Sequence, residues 1–518
     1  MEIMDSEFGK KMRIIRNSIV FDEKWYKRIY GIRKEDAAAH YLLKGWKCGN
    51  DPSDFFSTTR YLQENPDVEA SGMNPLVHWE VYGYREKKNN RYRFVNLEKL
   101  RAAYPGLLSD MQGGLLRLRV TNACNAKCRY CGVRLYFGSE RDHMMDKSWL
   151  FDLCRPLYEK INFLLLTGGD PNITPHSYEF MKFISDQYPH ITIFNETNGL
   201  MLKDKFQNLA ADNMFRVHIS LNSSSAAIYD KSCWEGVGGV DAYERITANI
   251  ESYLALLKEK GLEVFAPDYS MVINRDNYYD VVPFVRKVLG YHAFSIGFFF
   301  DYTENNMMSP YFSRPYESRM ALKNMMEIER VLSGKVMVNF RLWVPTKELE
   351  LMQEVVNREP EEKLKRKYAD LLELAEGRSI VGEYQKRSEL RKKAGKKVIS
   401  FDEDYSCTIR LEEREGREIC FAPWKELDLY PNGRLDFCGW YEPTLTIKDF
   451  MEDGKLDWNE VINSYAYMRG RYRILQGDYD ECQDCCPMND AANPILNVYE
   501  YNCPNMARNI KVTKRNVW

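Results

Sequence analysis

The residues of this 518-residue chain best suited to chemistry are among its 13 cysteines. Three stand together in Thr121-Asn-Ala-Cys124-Asn-Ala-Lys-Cys128-Arg-Tyr-Cys131-Gly132, a C-x3-C-x2-C spacing. Iron–sulfur clusters of the cubane type ordinarily take four thiolates, so three leave one iron open. An open iron is what a cluster needs in order to bind and act on a small molecule. Zinc competes for such residues, but a structural zinc site is closed by a fourth ligand nearby. Here His143 is twelve residues past Cys131, and Cys154 is farther. Later come Cys407, Cys420 and Cys438, then Cys482, Cys485 and Cys486, with Cys503 beyond. Cys420, Cys438, Cys482 and Cys485 supply four thiolates, enough for a closed iron–sulfur cluster or for zinc. Cys48, Cys154 and Cys233 are solitary and read as small buried side chains.

Such groups need elements to hold them. The first cysteine group directly follows the apolar run Leu115–Val120. Similar runs recur at Ile161–Leu166, Ile191–Phe194, Arg216–Ser220, Val264–Val272 and Phe294–Phe300. Amphipathic stretches such as Asp241–Lys260 fill most gaps. Strands alternating with helices predict βαβ units and a parallel sheet. The expected fold is therefore α/β, a partial (β/α)6 barrel, in which chemistry gathers at the C-terminal ends of the strands. Four segments fall at those ends: Leu166-Thr-Gly168-Gly169-Asp170-Pro171, Glu196-Thr197-Asn198-Gly199, Val217-His-Ile-Ser220-Leu-Asn222 and Met271-Val-Ile-Asn274. Singly, Gly-Gly before Asp-Pro and Thr-Asn-Gly are ordinary turn sequences. Their order at successive strand ends is what carries weight.

In these residues the chain closely resembles the radical S-adenosylmethionine (SAM) superfamily. Tyr130 fits that family's C-x3-C-x-aromatic-C form. Gly168-Gly169-Asp170-Pro171 resembles its GGEP motif, with Asp where Glu is usual. Asn198 lies in the counterpart of its TNG segment, and Ser220 in a segment whose serine contacts the cofactor. Asn222 replaces a common Asp there, and Met271 is expected near the adenine. The resemblance implies a [4Fe–4S] cluster on Cys124, Cys128 and Cys131. It also implies a SAM pocket drawn from Tyr130, Gly168, Gly169, Asp170, Asn198, Ser220 and Met271, with the Asp170 side chain and nearby backbone holding the methionine amino group. Reductive cleavage of SAM to a 5′-deoxyadenosyl radical, which takes hydrogen from a substrate, is the implied reaction. An external one-electron reductant of flavodoxin or ferredoxin type is implied with it. The cofactor carries that reactivity; the protein supplies position.

The later cysteines resemble the SPASM and Twitch extensions of the same superfamily. Cys420 is followed by twelve residues, Gly433, four more residues and Cys438, and Cys482-Gln-Asp-Cys485 comes next. The resemblance implies an auxiliary [4Fe–4S] cluster on Cys420, Cys438, Cys482 and Cys485. Cys486 directly after Cys485 departs from full SPASM spacing, so the pattern looks closer to Twitch. A second cluster using Cys407, Cys486 and Cys503 is the alternative. Residues 1–95 hold an internal repeat: Phe21-Asp-Glu-Lys-Trp-Tyr26 is echoed by Phe56-Ser-Thr-Thr-Arg-Tyr61, and His40-Tyr-Leu-Leu-Lys-Gly45 by His78-Trp-Glu-Val-Tyr-Gly83. It resembles a helical repeat of bacterial polysaccharide-biosynthesis proteins and glycosyltransferases, with His40 and His78 as packing residues. Residues 316–400 are charge-dense and read as a solvated helical insertion, or alternatively as a lid. The expected domains are 1–95, helical repeats; 110–315, barrel; 316–405, charged insertion; and 406–518, auxiliary cluster.

Composition excludes other classes. Lys plus Arg number 73 and Asp plus Glu 75, a balance that argues against nucleic acid or an anionic membrane as partner. No stretch approaches the 18 or more apolar residues of a membrane span. The segment Met1–Asn17 lacks the apolar core of a signal peptide, so the cytoplasm is the expected location. A small-molecule or glycan substrate is expected, and a carbohydrate is favoured by two analogies. These are the repeat and the likeness of the Cys420–Cys485 spacing to a Twitch alcohol dehydrogenase. The rival is SPASM-type peptide modification. Oxidising a hydroxyl requires a base. Asp268, Asp301 and Glu304, near the ends of the fifth and sixth strands, are the candidates, against a plainer role as loop carboxylates.

Overall fold

The computed structural model describes residues 6–85, 94–133, 143–234, 241–301, 315–398, 411–414, 417–438, 445–479 and 495–498. Where four domains were expected, the chain divides into two compact units. One gathers 113–407, 428–434 and 482–518; the other gathers 1–112, 408–427 and 435–481.

The first unit is built on a parallel sheet of β1 (Leu115–Thr121), β2 (Phe163–Gly168), β3 (Thr192–Thr197), β4 (Arg216–Ser220), β5 (Asp268–Ile273), β6 (Ser295–Phe300) and β7 (Met337–Pro345). Each strand pairs in parallel with the next. β7 is a correction, because it lies inside the stretch expected to be a charged insertion. Its apolar alternation, Val338, Phe340, Leu342 and Val344, is hidden in the sequence by the charged helices on either side. Strand Ile495–Val498 adds antiparallel to β7.

Side chains alternate across a strand, so each strand contributes two different faces. Ile193, Val217, Ile219, Tyr269, Met271 and Phe298 are buried on the face that meets the helices. There the ring of Phe284, from helix Val281–Gly290, lies 6.2 Å from Phe298. The other face, the barrel lumen, carries Arg117, Arg119, Thr167, Glu196, Arg216, His218, Ser220, Asp268 and Ser270, as the strand registers place them.

The rest of the supposed insertion also belongs to this unit. Arg378 donates to the carbonyl of Ala293 at 2.7 Å, and Arg387 to that of Val264 at 2.5 Å. Arg391 donates to Met214 O at 2.9 Å and Thr192 Oγ1 at 2.7 Å, and Lys397 to Asn162 Oδ1 at 2.6 Å. These partners sit at or before the starts of β6, β5, β4, β3 and β2 in turn. The charges of this segment thus cover strand-start acceptors rather than only facing water.

In the second unit the repeat is a repeated contact. Helices Glu23–Tyr30, Ala37–Leu43, Thr58–Glu64 and Pro75–Val81 are capped by Asp22, Asp36, Ser57 and Asn74, whose side chains accept from backbone N–H groups of the first turn. Tyr26 OH meets His40 Nδ1 at 2.9 Å, and Tyr61 OH meets His78 Nδ1 at 2.8 Å. A Cβ at Gly45 would stand 2.0 Å from Tyr26 OH, and one at Gly83 2.2 Å from Tyr61 OH. The Tyr, His and Gly positions recur because they lock one another. Glu80, buried, accepts from Ser18 at 2.6 Å and Tyr465 at 2.7 Å, and pairs with Arg469.

Candidate functional site

The three-cysteine loop leaves the C-terminal end of β1, and the end of β2 holds it from below. Gly169 N–H donates to Thr121 O at 2.7 Å, and Asp170 N–H to Ala123 O at 2.9 Å. The backbones approach so closely that a Cβ at 168 would lie 2.1 Å from Thr121 O, and one at 169 would lie 1.8 Å from Ala123 O. Gly168 also has φ +120, a region open essentially to glycine. The paired glycines are required by the cysteine loop itself.

Asp170 is fully buried. Its carboxylate accepts from Asn172 N at 3.0 Å, Thr197 Oγ1 at 2.9 Å and Asn198 N at 3.0 Å. Burial raises its pKa, and these hydrogen bonds oppose the rise. The side chain is therefore a strut between the ends of β2 and β3. These bonds fix the orientation of the carboxylate that was expected to hold the methionine amino group.

Around the thiols, Ala126 N lies 3.4 Å from Cys124 Sγ, and Asn198 Nδ2 lies 3.7 Å from it and 2.6 Å from Asn125 Oδ1. Asn198 is thus brought to the cysteine loop. Tyr130 points elsewhere: it is buried, with its hydroxyl 2.9 Å from Cys233 Sγ. That contact anchors the loop. Cys233 is accordingly not solitary. Its carbonyl accepts from Lys127 N at 2.8 Å, Ser232 O accepts from Arg129 N at 3.1 Å, and its thiol meets that of Cys128.

Protein atoms packed around its sulfur, the Asp170 carboxylate, and the Cys128 and Cys131 thiols hold the Cys124 thiol above the ordinary range. Three thiolates on this loop need a compensating cation, and metal binding is what displaces such protons. Among the described residues no three His, Cys, Asp or Glu side chains converge on a point fit for a single ion. The fit to a cluster rests on the donor set, three soft sulfurs on one loop at a strand end.

Ser220 is half-buried on the lumen face, the cross-strand partner of Ser270. Asn222 has φ +59, tolerable for Asn. It extends the β4–β5 pairing by donating to Ser270 O at 3.1 Å and accepting from Val272 N at 2.8 Å. Met271 lies on the opposite face from Ser270 and is completely buried among core residues, a correction that follows from the strand's period of two.

The carboxylates separate. Asp268 is the first residue of β5, not near its end, and its carboxylate is held by Arg216 Nε at 2.6 Å. Asp301 directly follows β6, buried, with its N–H on Ile273 O at 2.9 Å. Glu304 lies outside the described residues, as do Cys407, Cys482, Cys485, Cys486 and Cys503. Cys420 ends strand Arg417–Cys420, Cys438 follows strand Arg434–Asp436 by two residues, and both are buried in the repeat-containing unit.

Several lumen residues were not singled out from the sequence. Asp428, fully buried, accepts from Arg117 at 2.6 Å and Arg119 at 3.3 Å. Thr167 Oγ1 donates to Glu196 at 2.5 Å, and His218 Nε2 meets Ser270 Oγ at 2.8 Å. For His218 the signal was there, since Arg216, His218 and Ser220 alternate with Val217 and Ile219; Thr167 follows Phe163 and Leu165 on its face and gave none.

Comparison with known proteins places this geometry. The family model described as the Radical SAM superfamily matches residues 118–287. A probable GTP 3′,8-cyclase of Saccharolobus islandicus (strain Y.N.15.51 / Yellowstone #2) is 28% identical over 173 residues, 33% of this chain and 51% of that protein. The GTP 3′,8-cyclase of Campylobacter curvus (strain 525.92) is 32% identical over 110 residues, 21% of this chain and 34% of its own length. The chain thus spans about half the length, or less, of these curated relatives. Among solved structures, Streptococcus suis SuiB bound to S-adenosylmethionine aligns with TM-score 0.42 and 12% identity, covering 80% of this chain and 79% of that one. Histidine-tagged anSMEcpe with bound AdoMet aligns with TM-score 0.43 and 14% identity, covering 73% and 88%. Among the described residues no helix is long and apolar enough to cross a membrane. The superfamily uses a [4Fe–4S] cluster and SAM. Over residues 118–287 this chain is a radical SAM domain, mounted on the seven-stranded parallel sheet described above.

Proposed function

We propose that the protein is an enzyme that cleaves SAM reductively and removes a hydrogen atom from a carbohydrate or glycan-linked substrate, at a carbon bearing oxygen. The observation that carries the proposal is the cysteine loop at the end of β1, held by Gly168 and Gly169 above a lumen lined with hydrogen-bonding side chains. Cys124, Cys128 and Cys131 would hold the cluster, and Asn198 and Ser220 would face the bound cofactor. The bound cluster and SAM supply one-electron chemistry and a carbon radical. The chain's own residues fix the thiols and present polar contacts for a hydroxylated substrate. Asp301, which directly follows β6, is proposed to contact that substrate. Cys420 and Cys438, with Cys482 and Cys485, are proposed to hold an auxiliary [4Fe–4S] cluster that takes up the second electron. A flavodoxin- or ferredoxin-type protein in the cytoplasm is proposed as the source of the first.

The test is deuterium transfer into 5′-deoxyadenosine from C-deuterated nucleotide sugars and aminocyclitols, under anaerobic reducing conditions. Transfer from a sugar carbon supports the substrate class. Transfer from a peptide instead would replace the carbohydrate with a peptide and leave the radical chemistry standing.

A further inference from the structure

We propose that His218 is the proton acceptor of the barrel lumen, and that it takes the proton of the hydroxyl whose carbon is oxidised. The inference rests on the hydroxyl-oxidation reading above and goes beyond it by naming the base.

β4 turns Val217 and Ile219 into the core and Arg216, His218 and Ser220 to the lumen. His218 therefore stands one lumen position below Ser220. Its Nε2 is 2.8 Å from Ser270 Oγ, and Ser270 is the cross-strand neighbour of Ser220. The residue keeps partial solvent access, and no other hydrogen bond engages its ring among the described residues. In the tautomer whose Nε2–H donates to Ser270, Nδ1 carries the lone pair, and no protein donor among the described residues reaches it. The level above the ring is made of small residues, since Ser220, Ser270 and Gly297 are successive cross-strand partners. The Phe299 ring lies against Gly297, so a ligand group would approach from the Ser220 and Ser270 side.

The surrounding charges suit a base. Glu196 on β3 and Asp268 on β5 are its cross-strand partners, Arg216 lies one lumen position below it, and Phe194 packs edge-on at 6.0 Å. Burial lowers the pKa of the ring; Glu196 and Asp268 oppose this and Arg216 adds to it. The ring is thus neutral at pH 7 and able to accept. The two carboxylates are engaged, Asp268 by Arg216 and Glu196 by Thr167, and both would stabilise the imidazolium once formed.

In the oxidation the C–H and O–H bonds break and a C=O bond forms. The carbon gives a hydrogen atom to the SAM-derived radical, the oxygen gives its proton to Nδ1, and the remaining electron passes to an iron–sulfur cluster of the kind proposed above.

The test uses the anaerobically reconstituted full chain and diethyl pyrocarbonate, which acylates an accessible, unprotonated imidazole nitrogen. His218 should be acylated, at a rate that rises with pH through a midpoint below the ordinary value of 6.5. SAM should slow the reaction by occupying the space above the ring. A ring that stays unreactive between about pH 5 and 8 overturns the proposal, as does reaction that SAM fails to slow. As a second arm, His218→Gln keeps a donor for Ser270 but cannot take a proton. It should lower oxidised product from the sugar that transfers deuterium by about 10²–10⁴-fold, more than it lowers the transfer itself. Retained oxidation in this variant also overturns the proposal. If no sugar transfers deuterium, the substrate class fails, while acylation still decides the state of the ring.

Discussion

Tyr26, His40 and Gly45 in one repeat, and Tyr61, His78 and Gly83 in the next, form the same closed arrangement, each hydroxyl answered by a ring nitrogen beneath a glycine. Gly168 and Gly169 are also forced by close approach, but what approaches is the backbone of a loop that carries three thiols. In the repeats the recurring polar groups satisfy one another. At the barrel mouth the polar groups that end β2 hold a neighbouring loop in place. Two glycine-and-polar signatures of similar appearance thus do different work. What separates them is whether the last group in the chain of contacts still has chemistry left to do.

The contrast can be broken most sharply at the thiols. Replacing Cys124, Cys128 and Cys131 together by Ala should abolish formation of 5′-deoxyadenosine. It should also lower the iron content from about eight to about four per chain, two clusters to one. Normal cleavage by that variant would sink the assignment. Gly169→Ala should come next, because its Cβ would meet the carbonyl of Ala123 at 1.8 Å and backbone cannot yield as a side-chain tip can. Iron incorporation after reconstitution should fall well below that of the parent, while the helical content seen by circular dichroism is kept. In the repeat unit the largest effect should be on stability. Glu80→Ala removes one partner of a buried pair with Arg469 and should cost about 3–5 kcal/mol in denaturant unfolding. The smallest effect is expected at Tyr61→Phe, which loses one hydrogen bond to His78. It should cost about 0.5–1.5 kcal/mol and leave SAM cleavage untouched. If Tyr61→Phe impaired cleavage as strongly as the cysteine variants do, the division between the two regions would be wrong.

Much of this arrangement was legible in the sequence, for identifiable reasons. Thiol spacing and Gly-Gly are local patterns that tolerate little substitution, and the repeat announced itself by recurrence. β7 was not legible, because its alternation of Val338, Phe340, Leu342 and Val344 sits between helices whose charge dominates any window drawn around it. Asp268 was misplaced by counting the strand from Val264, whereas Glu263–Phe265 is a turn of 3-10 helix and β5 starts at Asp268. Met271 failed by one residue of parity. The tie from Asp170 to Thr197 and Asn198 spans 27 and 28 residues, too far for a local pattern to show. Cys233 is paired with Tyr130 across 103 residues, a separation no local pattern can bridge.

The segment from Arg378 to Lys397 carries one consequence for how the chain is made. Arg391 reaches back 199 residues to Thr192, and Lys397 reaches back 235 residues to Asn162. A ribosome adding about 5–20 residues per second exposes the start of β2 for roughly 12–47 s before its last cover emerges. Any sheet the first strands form before then would have bare edges and unanswered strand-start acceptors, the kind of intermediate that associates with others of its kind. The chain length between a strand and its cover therefore sets a waiting time, and any slowing of translation between residues 300 and 397 would lengthen the period in which nascent chains can aggregate.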